Sequence, residues 1–226
     1  MTDSTTTRRL HVIEVIERYG RCLELIPLDP HFQDISVGLY SKDNVATVWT
    51  FSRKPGVDDR IRQIRDRLVT LGGLTPVEGT HDQVMPTCGQ LHSRPTRFLM
   101  MQAVERSPDF AAPDGGATVK DLKSGLALGT DSREVDGRVI YYVTAEGEAS
   151  NKAARIRAIT SGFVRYGDME KTEDGGIAFP CGYRHDELVR LVLSYARNVS
   201  RVEDMLEADA VRGQMTTSTL GFSQGP

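Results

Sequence analysis

The sequence predicts an α+β fold in which one strand-strand-helix-strand-helix unit is used twice, about a pseudo-twofold axis, behind an extra N-terminal helix. Three observations predict it. Segments of two-residue and 3.6-residue apolar periodicity alternate along the chain. Residue patterns recur in order at a spacing of 95: Arg60-Ile61-Arg62-Gln63-Ile64 matches Arg155-Ile156-Arg157-Ala158-Ile159, Leu68 matches Phe163, Val69 matches Val164 and Gly72 matches Gly167. Finally, Cys88-Gly89-Gln90-Leu91-His92 and Cys181-Gly182-Tyr183-Arg184-His185 both read Cys-Gly-x-x-His, in a chain with three cysteines and five histidines. These boxes lie 93 residues apart, so one loop of the second unit is expected to be two residues shorter. Asp34-Ile35-Ser36-Val37-Gly38-Leu39 resembles Asp121-Leu122-Lys123-Ser124-Gly125-Leu126 at a spacing of 87, which calls for a hairpin longer by eight residues in the second unit. Solenoid repeats recur at roughly 20–50 residues. The longer period here points to duplication of a compact subdomain, with chance matching of common helix patterns as the competing account.

The elements follow in order. Residues 1–6 are polar, and 1–30 form a tail plus helix, with Leu10, Ile13, Ile16 and Leu23 at helical spacing from Thr7 to about Leu25 and Pro27 and Pro30 ending it. The first unit spans 31–106. Asp34–Tyr40 and Val45–Phe51 read as strands joined by a turn over Ser-Lys-Asp-Asn. A helix opens at Val57 or Asp58, carries Ile61, Ile64, Leu68 and Leu71 on one face, and stops at Gly72-Gly73. Val77 and Val84-Met85 mark short strands before the Cys88 box, and Ser93 caps a helix from about Pro95 to Val104. Residues 107–118, rich in proline, glycine and aspartate, read as a linker. The second unit, 119–206, predicts strands at 119–128 and 138–145, a helix over 150–166, a short strand at Ile177–Phe179, the Cys181 box, and a helix capped by Asp186 that runs to Leu206. Residues 207–226 form a polar tail.

Composition narrows the function classes. With 226 residues the chain can bury a substantial core. A net charge of −3 and a pI near 6.0 lack the basic excess of a nucleic-acid binder. No apolar run reaches the ~20 residues of a membrane span, and the N-terminus lacks the apolar segment of a secretory signal. Three scattered cysteines do not make a disulfide framework, so a cytoplasmic location with free thiols is expected.

The two boxes admit three readings. As a metal site, Cys88, His92, Cys181 and His185 supply two thiolates and two imidazoles, a complete tetrahedral set for zinc, and glycine after each cysteine lets the backbone turn around an ion. This requires the two sulfurs to lie within ~4 Å of each other, since zinc–sulfur bonds are near 2.3 Å. As thiol chemistry, each cysteine precedes a helix start whose positive end favours thiolate, and a histidine supplies a base. As structure alone, the cysteines pack as small hydrophobes in a tight strand-to-helix turn. Arg60 and Arg155 recur between the units and are candidate binders of a substrate carboxylate or phosphate; Asp34 and Asp121 recur as candidates to orient a histidine. Cys22 is expected to pack within the first helix, and His81 to lie in an exposed turn. Trp49, Phe51, Met100 and Met101 are expected to fill core space. Gly-x-Ser-x-Gly, His-Glu-x-x-His and Gly-x-Gly-x-x-Gly are absent.

The resulting expectation is a zinc-dependent enzyme acting on a small anionic molecule in a cleft between the units. The alternative is a non-catalytic ligand-binding protein or homodimer, to which Val12 and Val15 on the first helix contribute apolar surface.

Overall fold

The computed structural model describes residues 13–28, 32–104, 118–120 and 124–196. It is a mixed α+β protein with two antiparallel five-stranded sheets. The first contains β1 (Arg21–Pro27), β2 (Ser36–Lys42), β3 (Val45–Trp49), β4 (Leu74–Pro76) and β5 (Gln83–Pro86), in the order β1-β2-β3-β5-β4. The second contains β6 (Thr118–Lys120), β7 (Ala127–Val135), β8 (Arg138–Glu146), β9 (Glu170–Lys171) and β10 (Ile177–Ala178), in the order β6-β7-β8-β10-β9. Helix α1 covers 13–19, α2 Val57–Gly72, α3 Ser93–Val104, α4 Lys152–Tyr166 and the described part of α5 186–196. Every strand pairing among the described residues is antiparallel.

Local chemistry explains most boundaries. In β2, Val37 and Leu39 share one face and are fully buried, and Gly38 and Tyr40 on the other face are buried too, so this central stretch of the strand is covered on both sides. Asp43 and Asn44 adopt φ of 51° and 63°, and Asp136 and Gly137 φ of 51° and 74°, so both central hairpins close with two left-handed residues, which suits the right-handed twist of paired strands. The second turn is therefore no longer than the first, and the extra hairpin residues lie in the strands: nine residues in each of β7 and β8 against seven in β2 and five in β3, six in all where eight were expected. Asp34 (φ 72°) precedes buried Ile35, and the same conformation recurs at Gly125 (φ 72°) before buried Leu126; Asp121 lies outside the described residues. Helix α2 buries Ile61, Ile64 and Leu68, and ends at Gly73 in the left-handed conformation.

The N-terminal helix is shorter than its periodicity implies. Gly20 (φ 81°) ends it, and a β-carbon there would stand 2.1 Å from the Ser41 carbonyl oxygen, so the chain can turn into β1 beside β2 only without a side chain. Cys22 consequently lies exposed on an edge strand, and the first sheet begins at Arg21 within the segment assigned to the tail and helix. The linker, apart from Thr118 in β6, lies outside the described residues, as do residues 1–6, Val12 and 207–226.

One apolar core runs through both halves, from Val37, Leu39, Ile64 and Leu68 to Leu128, Ile159, Phe163 and Val192. Each such side chain contributes roughly 1.5–3 kcal/mol on burial. The helices of the two halves meet. Phe98 of α3 stacks on Tyr195 of α5, centroids 3.9 Å apart. The backbone N–H of Arg94, at the start of α3, donates to Asp168 Oδ2 just beyond α4 at 2.8 Å. Glu187, at the start of α5, lies against Gly73 just beyond α2, its Oε2 3.1 Å from where a β-carbon would stand. These contacts bring the starts of α3 and α5, and the boxes before them, to the seam between the halves.

Candidate metal centre

Each box is a strand-to-helix connection, β5 to α3 and β10 to α5. The two are built by hydrogen bonds that recur 93 residues apart. Gly89 N–H donates to Pro86 O at 3.0 Å, and Gly182 N–H to Phe179 O at 2.9 Å. Thr96 N–H donates to His92 O at 3.1 Å, and Val189 N–H to His185 O at 3.0 Å, so each histidine carbonyl begins its helix. Gly89 and Gly182 have φ of 73° and 76°, a conformation that turns the chain back so that residues i and i+4 face the same point. Box one is tied to the first hairpin by Leu91 N–H to Asn44 Oδ1 at 3.2 Å. Box two is tied to β8 by Val139 N–H to Gly182 O at 2.9 Å.

The four chemically active side chains converge. His92 Nε2 is 3.2 Å from His185 Nε2, and Cys181 Sγ is 3.4 Å from the first and 3.2 Å from the second. Cys88 Sγ is 3.7 Å from His92 Nε2. All four donors lie within 4.8 Å of one another, close to the spacing required for a shared ion. Every pair without Cys88 is at 3.4 Å or less, so the wider spacings belong to Cys88. The imidazoles form a buried floor, 2% and 7% exposed, and both cysteines are half-buried above it.

Burial sets the protonation states. Desolvation, with some repulsion from His185, lowers the His92 pKa to about 4. Desolvation also lowers His185, against the opposing charges of Glu187 and Asp186. At neutral pH both rings are uncharged, the form that binds metal ions. Desolvation pushes the Cys181 thiol up, partly countered by a backbone hydrogen bond at Tyr183 and reinforced by Cys88. That is the opposite of the activated, low-pKa thiol a nucleophile needs, so the expected helix-start activation of Cys181 is outweighed.

A second layer of residues holds the floor in place. His185 N–H donates to the Tyr141 hydroxyl at 2.7 Å, and that hydroxyl donates to Asp186 Oδ1 at 3.2 Å. Burial holds the Tyr141 phenol far above its usual range. Phe179 packs against both rings, with centroids 4.5 Å from His92 and 4.9 Å from His185. Tyr141 lies inside an apolar strand run and gave no separate sequence signal; only Asp186 was visible, as a helix cap.

The repeated arginines are both buried. Arg60 is buried, and its guanidinium donates to Val104 O at 2.9 Å, at the end of α3, and to Gln63 Oε1 at 3.3 Å. Arg155 is also buried, in the first turn of α4. His81 is exposed as expected. Phe51 and Met101 are exposed where core positions were expected, whereas Met100 is fully buried.

No protein-family model, no curated protein and no solved structure matches this chain. The chemistry therefore rests on the site itself. Among the described residues, Cys88, His92, Cys181 and His185 form a group that could hold a metal ion.

Proposed function

We propose that this protein binds one zinc ion between its two halves, through Cys88, His92, Cys181 and His185. The observation that carries this reading is the convergence of four soft or borderline donors, from segments 93 residues apart, onto one point. Zinc–nitrogen bonds near 2.0–2.1 Å and zinc–sulfur bonds near 2.3 Å imply tetrahedral edges of about 3.3 Å for N–N and about 3.6 Å for S–N. The corresponding spacings here are 3.2 Å for the nitrogens and 3.2, 3.4 and 3.7 Å for three of the four sulfur–nitrogen pairs, with the spacings of Cys88 to the other donors extending to 4.8 Å. Two neutral imidazoles and two thiols suit zinc better than a hard cation such as magnesium, which prefers oxygen ligands.

The reading includes a duplicated ancestor. Equivalent strand orders, two-residue hairpins and box hydrogen bonds at a constant spacing support it, as do the reciprocal contacts of α3 with the end of α4 and of α5 with the end of α2. In that picture each half supplies one thiol and one imidazole. Arg60 serves packing, fastening α2 to the end of α3, and an anionic substrate is met by the metal.

The test is metal analysis of reduced, full-length protein after growth with zinc. One equivalent of zinc is expected, and His92→Ala with His185→Ala should abolish it while circular dichroism stays unchanged. Protein that is folded, fully reduced and free of bound metal after exposure to zinc refutes the proposal.

A second reading, self-association, draws on one observation. Ile13 and Ile16 on α1 and Leu25 on β1 are about half exposed, whereas Val15 is buried inside the chain. Light scattering decides it: a dimer abolished by Ile13→Asp and Ile16→Asp supports assembly, and a monomer at high concentration removes it.

A further inference from the structure

We infer that Cys88 is an exchangeable ligand of this centre, and that the position it vacates binds a small anion at the metal. The inference rests on the zinc reading above and deepens it.

The donor set is not uniform. His92, His185 and Cys181 form a tight face with mutual distances of 3.2–3.4 Å. Cys88 reaches only the edge of that face, and spacings within the group extend to 4.8 Å. A tetrahedral zinc site needs about 3.6–3.8 Å along every edge that ends on sulfur. Cys88 must therefore move inward to complete the shell.

Its surroundings hold the sulfur away from the other three donors and permit movement. The Cys88 Sγ–H donates to Gln90 O at 3.2 Å, and the Gln90 N–H donates back to Sγ at 3.4 Å. Gly89 and Gln90 are exposed, and no atom lies within 4 Å of where a Gly89 β-carbon would stand. At the equivalent Gly182 a β-carbon would stand 3.4 Å from the Arg138 side chain, and the Gly182 carbonyl is pinned to β8 by the Val139 N–H. The stretch Cys88–Gln90 of box one thus has open space around Gly89 and room to shift, although Leu91 beyond it is tied to Asn44, while box two is held at Gly182 itself.

Charge selects the incoming ligand. A zinc dication with one thiolate and two neutral imidazoles keeps a net charge of +1. Arg138 and Arg184 near the second box are each paired with a carboxylate, Glu170 and Asp186, so the preference for an anion comes from the metal's own charge. A small anion is favoured over a neutral donor. Three protein ligands with one solvent-facing position is also the arrangement of catalytic zinc sites, where the metal polarises a substrate or activates water.

The test uses cobalt(II)-loaded full-length protein, with azide as the probe and visible absorption as the readout. Metal content is measured first, so that failure to bind any cobalt is read as failure of the metal centre itself. Azide is expected to change the cobalt bands saturably in the wild-type protein. Cys88→Ala should still bind one equivalent of cobalt, losing about 10-fold in affinity, the scale of an outer partner and not of an essential ligand. Cys181→Ala should lose far more. Spectra that ignore azide in both wild type and Cys88→Ala overturn the inference. So does a Cys88→Ala protein that is folded by circular dichroism yet as metal-free as Cys181→Ala.

Discussion

On the zinc reading, removing the metal should lower thermal stability by a predictable amount. The four donors come from both halves, so only the assembled native state presents them together. A ligand that binds the native state alone stabilises it by RT ln(1 + [L]/Kd), about 2.7 kcal/mol when free zinc is held at 100-fold its dissociation constant. For a chain of 226 residues, 1 kcal/mol corresponds to about 2–4 °C in Tm. Zinc at that level should therefore raise Tm by about 5–11 °C, and a strong chelator should reverse the gain. Differential scanning calorimetry on reduced protein, scanned with buffered zinc and with chelator, measures it. His92→Ala, which removes a ring that is 2% exposed and packed on Phe179, should lower Tm on its own account and abolish the zinc increment. A Tm that does not respond to zinc in protein shown to carry one equivalent would falsify the argument, because it would mean that the unfolded chain holds the ion equally well.

Three further outcomes are expected. Metal-free protein should lose stability as pH falls from about 6.5 toward about 4: His92 has its folded value depressed from 6.5 to about 4, so the unfolded chain takes up the proton first, and the contribution is complete only above 6.5. Urea titrations across that range check the sign, and stability that rises on acidification contradicts it. Tyr141→Phe removes the acceptor of the buried His185 N–H and should cost about 1–3 kcal/mol; unchanged denaturation midpoints would show that water takes its place. Iodoacetamide should label exposed Cys22 with or without zinc, while zinc protects Cys181. Peptide mass spectrometry reads both, and equal labelling of Cys181 in the two conditions contradicts its role as a ligand.

The site was legible because rarity and spacing coincided. Two Cys-Gly-x-x-His boxes in equivalent strand-to-helix positions could be located without knowing how the halves pack. Helices α2 and α4 were legible for the same reason: each carries a full apolar stripe, and Gly73 stops the first of them. What failed was local ambiguity resolved by tertiary contact. Residues 7–25 have helical spacing, but the approach of Gly20 to Ser41 converts their second part into β1. Strand β9 has only two exposed residues, too few to show a period. The match of Asp34 with Asp121 meets another limit: Asp121 lies outside the described residues, and the left-handed conformation of Asp34 recurs at Gly125, four positions further on. The arginines show a different limit: Arg60 and Arg155 recur, but Arg60 spends its guanidinium on the last carbonyl of α3, a partner that only the folded chain brings near.

The division of the centre between two distant segments gives its assembly a direction in time. His185 is translated 93 residues after His92. At synthesis rates of about 5–20 residues per second, the earlier thiol–imidazole pair waits roughly 5–20 s for its counterpart. During that interval the nascent chain offers only half a coordination shell, too few donors to trap an ion firmly. On the zinc reading, capture of the ion therefore waits until both boxes have been made and the two halves have met, and it can then act as a latch between them.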